Sequence, residues 1–275
     1  MLTSPSLIEV KNLSISKERQ HQLIINNVNF AIKQGEVFCL VGKSGAGKSM
    51  IAKSILRLLP YNLQCSVTGK IIFAGQSLFE LSHRQMLKLR GQSIGMIFQD
   101  SFGALNPVYK IKVQMADVFH KADPKISKRM IHERSLELLK QVDIEQPEKV
   151  LKQYPFELSG GMCQRIMIAI TLIQHPRLLI ADEPTTSLDV ITQKKILNVL
   201  LRLNKKLRMS ILFITHDLGI VHQIADRIGV IENGHIIEIQ ECNALFQNPQ
   251  ASYTQKLLAN ILRVPAMEEE YDTKD

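Results

Sequence analysis

The segment Gly42-Lys43-Ser44-Gly45-Ala46-Gly47-Lys48-Ser49 constrains this chain more than any other. It fits the pattern G-x-x-x-x-G-K-[ST], and its neighbours supply the context that the pattern needs. Residues 36–41, EVFCLV, form a short apolar run of the kind that makes a buried strand. Residues 50–59 follow with helical periodicity and stop at Pro60. Strand, glycine-rich loop and helix in this order point the backbone N–H groups of the loop at phosphate oxygens. The helix N-terminus adds positive potential there. Lys48 is then placed to reach β- and γ-phosphates, and the Ser49 hydroxyl to ligate Mg²⁺.

The rest of the chain repeats the strand–helix theme. Residues 177–181 (RLLIA) and 211–215 (ILFIT) read as buried strands, and 7–13, 23–32, 69–73 and 93–98 as further strands. Helical spacing marks 128–142, 162–174, 190–207 and 253–262. Residues 227–231 and 235–239, joined by Asn233-Gly234, read as a β-hairpin. Apolar strands alternating with helices predict a parallel sheet covered on both faces. The segment 100–160 breaks the alternation and reads as a helical lobe inserted into the α/β core, with a polar loop at 100–107. The 275 residues, 45% of them apolar and 22% charged, exclude a disordered chain or a fibre. One globular unit over 1–262 with an acidic tail at 263–275 is expected.

Four further residues address chemistry beyond phosphate binding. Asp182 and Glu183 end the strand 177–181, which is expected beside the phosphate loop. Asp182 can hold Mg²⁺ directly or through water, and Glu183 can polarise an attacking water as general base. His216 ends the strand 211–215, where it can hydrogen-bond a γ-phosphate or hold the water. Gln99 follows the strand 93–98 and can complete the Mg²⁺ and water shell. A second anion-binding feature is Leu158-Ser159-Gly160-Gly161-Met162, two glycines ahead of a helix. One chain has one phosphate loop, so the economical role of this second feature is to cap a nucleotide held by another subunit.

Charge excludes little. With 34 Lys+Arg against 26 Asp+Glu the net charge is +8, which fits a nucleic-acid, nucleotide or anionic-membrane partner and equally a solvated lysine surface. Cys39, Cys65, Cys163 and Cys242 are scattered, with neither metal spacing nor a disulfide framework, and read as reduced, part-buried small hydrophobes. No segment approaches the roughly 18 apolar residues of a membrane span. No signal peptide is visible at the N-terminus, so a cytoplasmic location is expected.

GKSGAGKS, Gln99, LSGGM, LLIADE, Ser187-Leu188-Asp189 and His216 together resemble, in that order and over nearly the whole chain, the ATP-binding-cassette (ABC) ATPases. The resemblance implies a P-loop NTPase core of α/β class, with an N-terminal antiparallel β subdomain and an inserted helical subdomain. It implies two cassettes packed head to tail around two MgATP, with Ser159, Gly160 and Gly161 on the γ-phosphate of the opposite cassette and Asp189 at the same interface. Arg90-Gly91, Ala104-Leu105-Asn106-Pro107, Tyr154-Pro155, Gln164-Arg165, Asn248-Pro249 and Tyr253-Thr254 resemble the peptide/nickel importer subfamily. Residues 150–169 are most similar to nickel-import ATPases, and no cysteine follows Cys242, unlike the longer oligopeptide members. The implied function is the ATP-hydrolysing subunit of an importer for nickel or a metal chelate, with a dipeptide or oligopeptide importer as the alternative. A soluble cassette acting on DNA or ribosomes is disfavoured, and no nucleic acid is expected. The implied partners are a second ATPase subunit in a heterodimer, two membrane permease subunits and an extracytoplasmic solute-binding protein. The chain would then sit peripherally on the cytoplasmic face of the cell membrane. An aromatic often stacks on adenine in this family; here the region 17–26 offers only His21, and no stacking residue is assigned.

Overall fold

The computed structural model describes residues 6–17, 22–59, 64–186 and 188–261. His21, Pro60, Ser187 and the acidic tail lie outside the described residues. The chain builds two sheets. Strands β1 (Ser6–Lys17), β2 (Gln22–Lys33), β4 (Cys65–Phe73) and β5 (Gln76–Ser77) form an antiparallel sheet in the order β2-β1-β4-β5. Strands β3 (Val37–Val41), β6 (Ile94–Ile97), β7 (Leu178–Asp182), β8 (Ser210–Thr215), β9 (Arg227–Glu232) and β10 (His235–Glu241) form the second, in the order β10-β9-β3-β8-β7-β6. All its pairings are parallel except the β9–β10 hairpin.

The second sheet is buried on both faces, and the alternation along each strand shows how. On β3, Val37, Cys39 and Val41 enter one apolar core, while Phe38 and Leu40 enter the other. On β8, Ile211 and Phe213 divide from Leu212 and Ile214 in the same way. Period-two side chains make this division automatic in a strand with helices or a sheet on either side. One core holds the antiparallel sheet and α1 (Lys48–Ile55); Ile8, Ile25, Ile51 and Ile55 fill it without exposed area. The other receives α7 (Gly160–Leu172), α8 (Val190–Leu207) and the helices between β6 and β7.

Those helices are α3 (Ser101–Ala104), α4 (Ile111–Ala122), α5 (Lys128–Gln141) and α6 (Pro147–Leu151), followed by a 3₁₀ turn, Pro155–Glu157. The loop expected at 100–107 therefore contains a helical turn. The helix expected from Met162 begins at Gly160 with Ser159 as its N-cap, so both glycines lie inside its first turn. The helix expected to run to 59 ends at Ile55. The fold is completed by α2 (His83–Gln92), α9 (Leu218–Ile224), α10 (Cys242–Gln247) and α11 (Ser252–Ile261). Cys39, Cys163 and Cys242 are buried and Cys65 half-buried, all with free thiols.

Because β3, β6, β7 and β8 run parallel, their C-terminal ends share one edge. That edge is where a doubly wound sheet offers a crevice to ligands.

Candidate functional site

Residues 42–47 leave the end of β3 and turn into α1. Gly47 is the N-cap of α1 at φ +99°, a conformation that disfavours side chains, and a Cβ there would stand 2.3 Å from Ile25 Cδ1. The loop thus reaches its helix only with glycine at this position. Lys48 is 4% exposed, and its ammonium donates to the carbonyls of Gly42 at 2.8 Å and Lys43 at 3.0 Å. Burial pulls the Lys48 pKa down, and the nearby Glu183 and Asp182 carboxylates oppose that pull.

The sequence placed the strand ending at Asp182 beside the phosphate loop. In the structure β8 lies between β3 and β7, so the contact is made by side chains. The Ser49 hydroxyl donates to Asp182 Oδ1 at 2.9 Å. Asp182 is 5% exposed, and burial lifts its pKa above the ordinary carboxylate range. Among the described residues, no group of three or more His, Cys, Asp or Glu side chains forms a metal cage. The Ser49–Asp182 pair is instead a partial oxygen set. Mg²⁺ takes such sets when substrate phosphates supply further ligands, so the residues fit MgATP.

Glu183 follows at φ +48°, and its backbone N–H donates to the Ile214 carbonyl on β8. This left-handed residue turns the chain off the end of β7. Its carboxylate collects three side chains. Gln99 Nε2 donates to Oε2 at 3.2 Å, the Thr186 hydroxyl donates to the same oxygen at 3.1 Å, and His216 Nδ1 lies 3.5 Å from Oε1. Gln99, Glu183 and His216 come from the ends of three strands, β6, β7 and β8. Together with Lys43, Ser44, Thr186, Leu218 and Leu257, among others, they line a cleft of about 430 Å³. Thr186 is a contact that sequence reading missed. Its signal was the position three residues after Glu183, within reach of the carboxylate across one turn.

Ser159, Gly160, Gly161 and Asp189 do not line this cleft. Ser159 accepts from the Met162 N–H at 3.3 Å and Asp189 from the Thr192 N–H at 3.0 Å, each capping its helix. The Thr192 hydrogen bonds hold the Asp189 carboxyl below its usual range. A Cβ at Gly161 would stand 2.4 Å from Thr192 Cγ2, and one at Gly160 would stand 3.8 Å from Leu188 Cδ2. The starts of α7 and α8 are therefore packed together. Ser159 borders a separate polar cleft of about 410 Å³ with Glu145, Lys149, Glu157, Arg165 and Lys195.

Comparisons with known proteins bear on the family and the fold. Residues 25–186 match the family model described as ABC transporter. The chain is 43% identical to the oligopeptide transport ATP-binding protein OppD of Bacillus subtilis, over 98% of this chain and 76% of the relative. It is 39% identical to the metal-staphylopine import system ATP-binding protein CntD of Staphylococcus aureus, over 92% of this chain and 93% of the relative. Among solved structures, the dimeric post-hydrolysis ATP-binding cassette MJ0796 bound to ADP and Pi superposes with a TM-score of 0.75 at 27% identity. That match covers 86% of this chain and 98% of the other.

Proposed function

This chain belongs to the ABC transporter family, and on that footing we propose that it is the energy-coupling ATPase subunit of an importer. The observation that carries the proposal is the Glu183 carboxylate, which holds Gln99, Thr186 and His216 around it next to the Ser49–Asp182 pair. In this reading the amides of residues 44–48 cradle the phosphates of ATP, and Lys48 turns its ammonium toward the β- and γ-phosphates. Ser49 and Asp182 would hold Mg²⁺, with Gln99 completing its shell. When bound, the ion would supply neutralisation of the phosphate charge. Glu183 accepts a proton from the water that attacks the γ-phosphorus as the bond to ADP breaks. His216 orients that water or the departing phosphate.

Ser159, Gly160, Gly161 and Asp189 cap the ATP of a second cassette. Their separation from this chain's own cleft supports that assignment. Two permease subunits convert closing and reopening of the cassette pair into alternating access, with residues 100–107 as the mechanical contact. An extracytoplasmic solute-binding protein delivers cargo. Among the described residues no helix is long and apolar enough to cross a membrane, which accords with a peripheral subunit.

The cargo is a metal chelate, nickel among the candidate metals, or a short peptide. Similarity to the metal-staphylopine relative over nearly its whole length supports the first. The higher identity to the oligopeptide relative supports the second. Deleting this subunit and measuring nickel-chelate and peptide uptake in the same cells separates them. Loss of peptide uptake with intact high-affinity nickel uptake, where no second nickel system operates, overturns the metal reading.

A further inference from the structure

The C-terminal helix α11 touches the phosphate loop, and none of the roles above uses that contact. The Lys43 backbone N–H donates to the Tyr253 hydroxyl at 3.2 Å. The Lys43 ammonium lies 6.0 Å from the centre of the same ring. Four residues on, Leu257 lines the nucleotide cleft with Gln99, Glu183 and His216. Among the described residues, Tyr253 makes the only side-chain hydrogen bond that reaches the loop 43–47 from an element other than α1.

The next peptide unit, which carries the Lys43 carbonyl, is also held. Its carbonyl accepts from the Ala46 N–H at 3.2 Å and from Lys48 Nζ at 3.0 Å. A nucleotide recruits Lys48 to its phosphates and so competes for that second contact. The Tyr253 contact comes from α11 and uses the Lys43 N–H, which a cradle made of the amides of residues 44–48 leaves free to keep it.

The helix is itself firmly seated. Glu238, 8% exposed on β10, accepts the N–H groups of Gln250 at 2.7 Å and Ala251 at 3.0 Å, immediately before α11. Leu258 is buried in the core, and Tyr253 and Leu257 pack against that core. The helix also packs on α9, which begins directly after His216 and Asp217. One rigid element thus spans the entrance of the phosphate loop and the helix that follows His216.

We propose that Tyr253 is a positioning residue for ATP: through its hydroxyl, α11 fixes the entrance of the phosphate loop on the side where the terminal phosphate lies. This rests on the assignment of the cleft to MgATP. Lys43 and Ser44 share the cleft with Glu183 and His216, whereas residues 45–49 do not line it. Loss of the contact therefore affects the triphosphate more than the diphosphate.

The test uses the full-length chain with Tyr253→Phe, which keeps the ring and removes the acceptor, and with Glu238→Ala, which frees the start of α11. Dissociation constants are measured for Mg-ADP and for the Mg complex of the β,γ-imido analogue of ATP, alongside thermal unfolding. One neutral hydrogen bond predicts roughly threefold to tenfold weaker binding of the triphosphate analogue in Tyr253→Phe, with ADP changed less than about twofold. Glu238→Ala is expected to show the same selectivity. Equal losses for both nucleotides, or a lowered unfolding temperature with both affinities unchanged, would mean that Tyr253 only anchors the helix and would overturn the inference. A wild-type chain that binds neither nucleotide overturns the cleft assignment itself, and this inference with it.

Discussion

Replacing Glu183 by glutamine isolates its charge from its shape. The carboxylate accepts from Gln99 and Thr186 on one oxygen and faces His216 on the other. A glutamine can place its carbonyl oxygen toward Gln99 and Thr186 and its NH₂ toward His216 Nδ1, when that nitrogen is unprotonated. The three neighbours then keep their partners, and the turn at φ +48° remains as it was. Proton acceptance is lost. A positioned general base contributes about 10²- to 10⁴-fold, equivalent to about 2.7–5.4 kcal/mol of barrier. The phosphate cradle contains no atom of Glu183, so the ATP dissociation constant should stay within about threefold, inside the net worth of one ordinary hydrogen bond. Single-turnover hydrolysis by the assembled transporter, with nucleotide binding measured in parallel, reads both quantities. Turnover within tenfold of wild type would falsify the general-base assignment. A large loss of ATP affinity would show instead that the substitution disturbed the cleft.

Lys48→Ala removes an ammonium that two loop carbonyls now hold, and is expected to weaken ATP binding roughly tenfold to a hundredfold, checked by equilibrium titration. Ser159→Arg is expected to leave this chain's own ATP affinity unchanged while blocking turnover in the assembled pair; high turnover from strictly monomeric protein would contradict the shared-site arrangement. Asp182→Asn keeps an acceptor for Ser49 but removes a charge whose pKa burial raises. A raised carboxyl favours the fold when protonated, so its contribution is lost as pH climbs from the ordinary carboxylate range through the folded value. The substitution should therefore raise the unfolding midpoint of the nucleotide-free chain near neutral pH in a chelator, and abolish the further rise that Mg-ATP gives wild type; calorimetry with and without nucleotide reads both.

What could be read in advance follows burial and local chemistry. The runs 36–41, 177–181 and 211–215 are buried on both faces, so they read as uninterrupted apolar strands, and the residues after them, Gly42, Asp182-Glu183 and His216, fall on one edge. Strand β1 runs on to Lys17, past its expected end at 13, and its pairing with β2 carries register shifts, with Asn12 at φ 50°. Those irregularities interrupt the period-two pattern that marks a strand. Helix α2 escaped notice because Met86 is its only buried residue, which leaves no apolar stripe to detect. Its capping box, Ser82 with Gln85, was the legible signal. The Tyr253 contact joins residues 210 apart in the chain, and no local pattern encodes such a pairing.

The cleft also concentrates features that local rules disfavour. Glu183 is a left-handed non-glycine residue, a conformation that costs about 1–2 kcal/mol. Asp182 and Lys48 are charges that burial acts against, and each has only part of its charge answered by the protein. Left-handed non-glycine residues also occur elsewhere, Asn12, Asn27 and Asn233 among them, so the two buried charges are what distinguish the cleft. The proposed ligand carries the complementary groups: phosphate charge for Lys48 and a divalent cation for Asp182. Locally unfavourable choices gathered at one sheet edge identify a site that binding completes. The same reasoning explains the asymmetry with Ser159 and Asp189. Both already satisfy their own helix ends and carry no such strain, which accords with the proposal that they act on a nucleotide bound elsewhere.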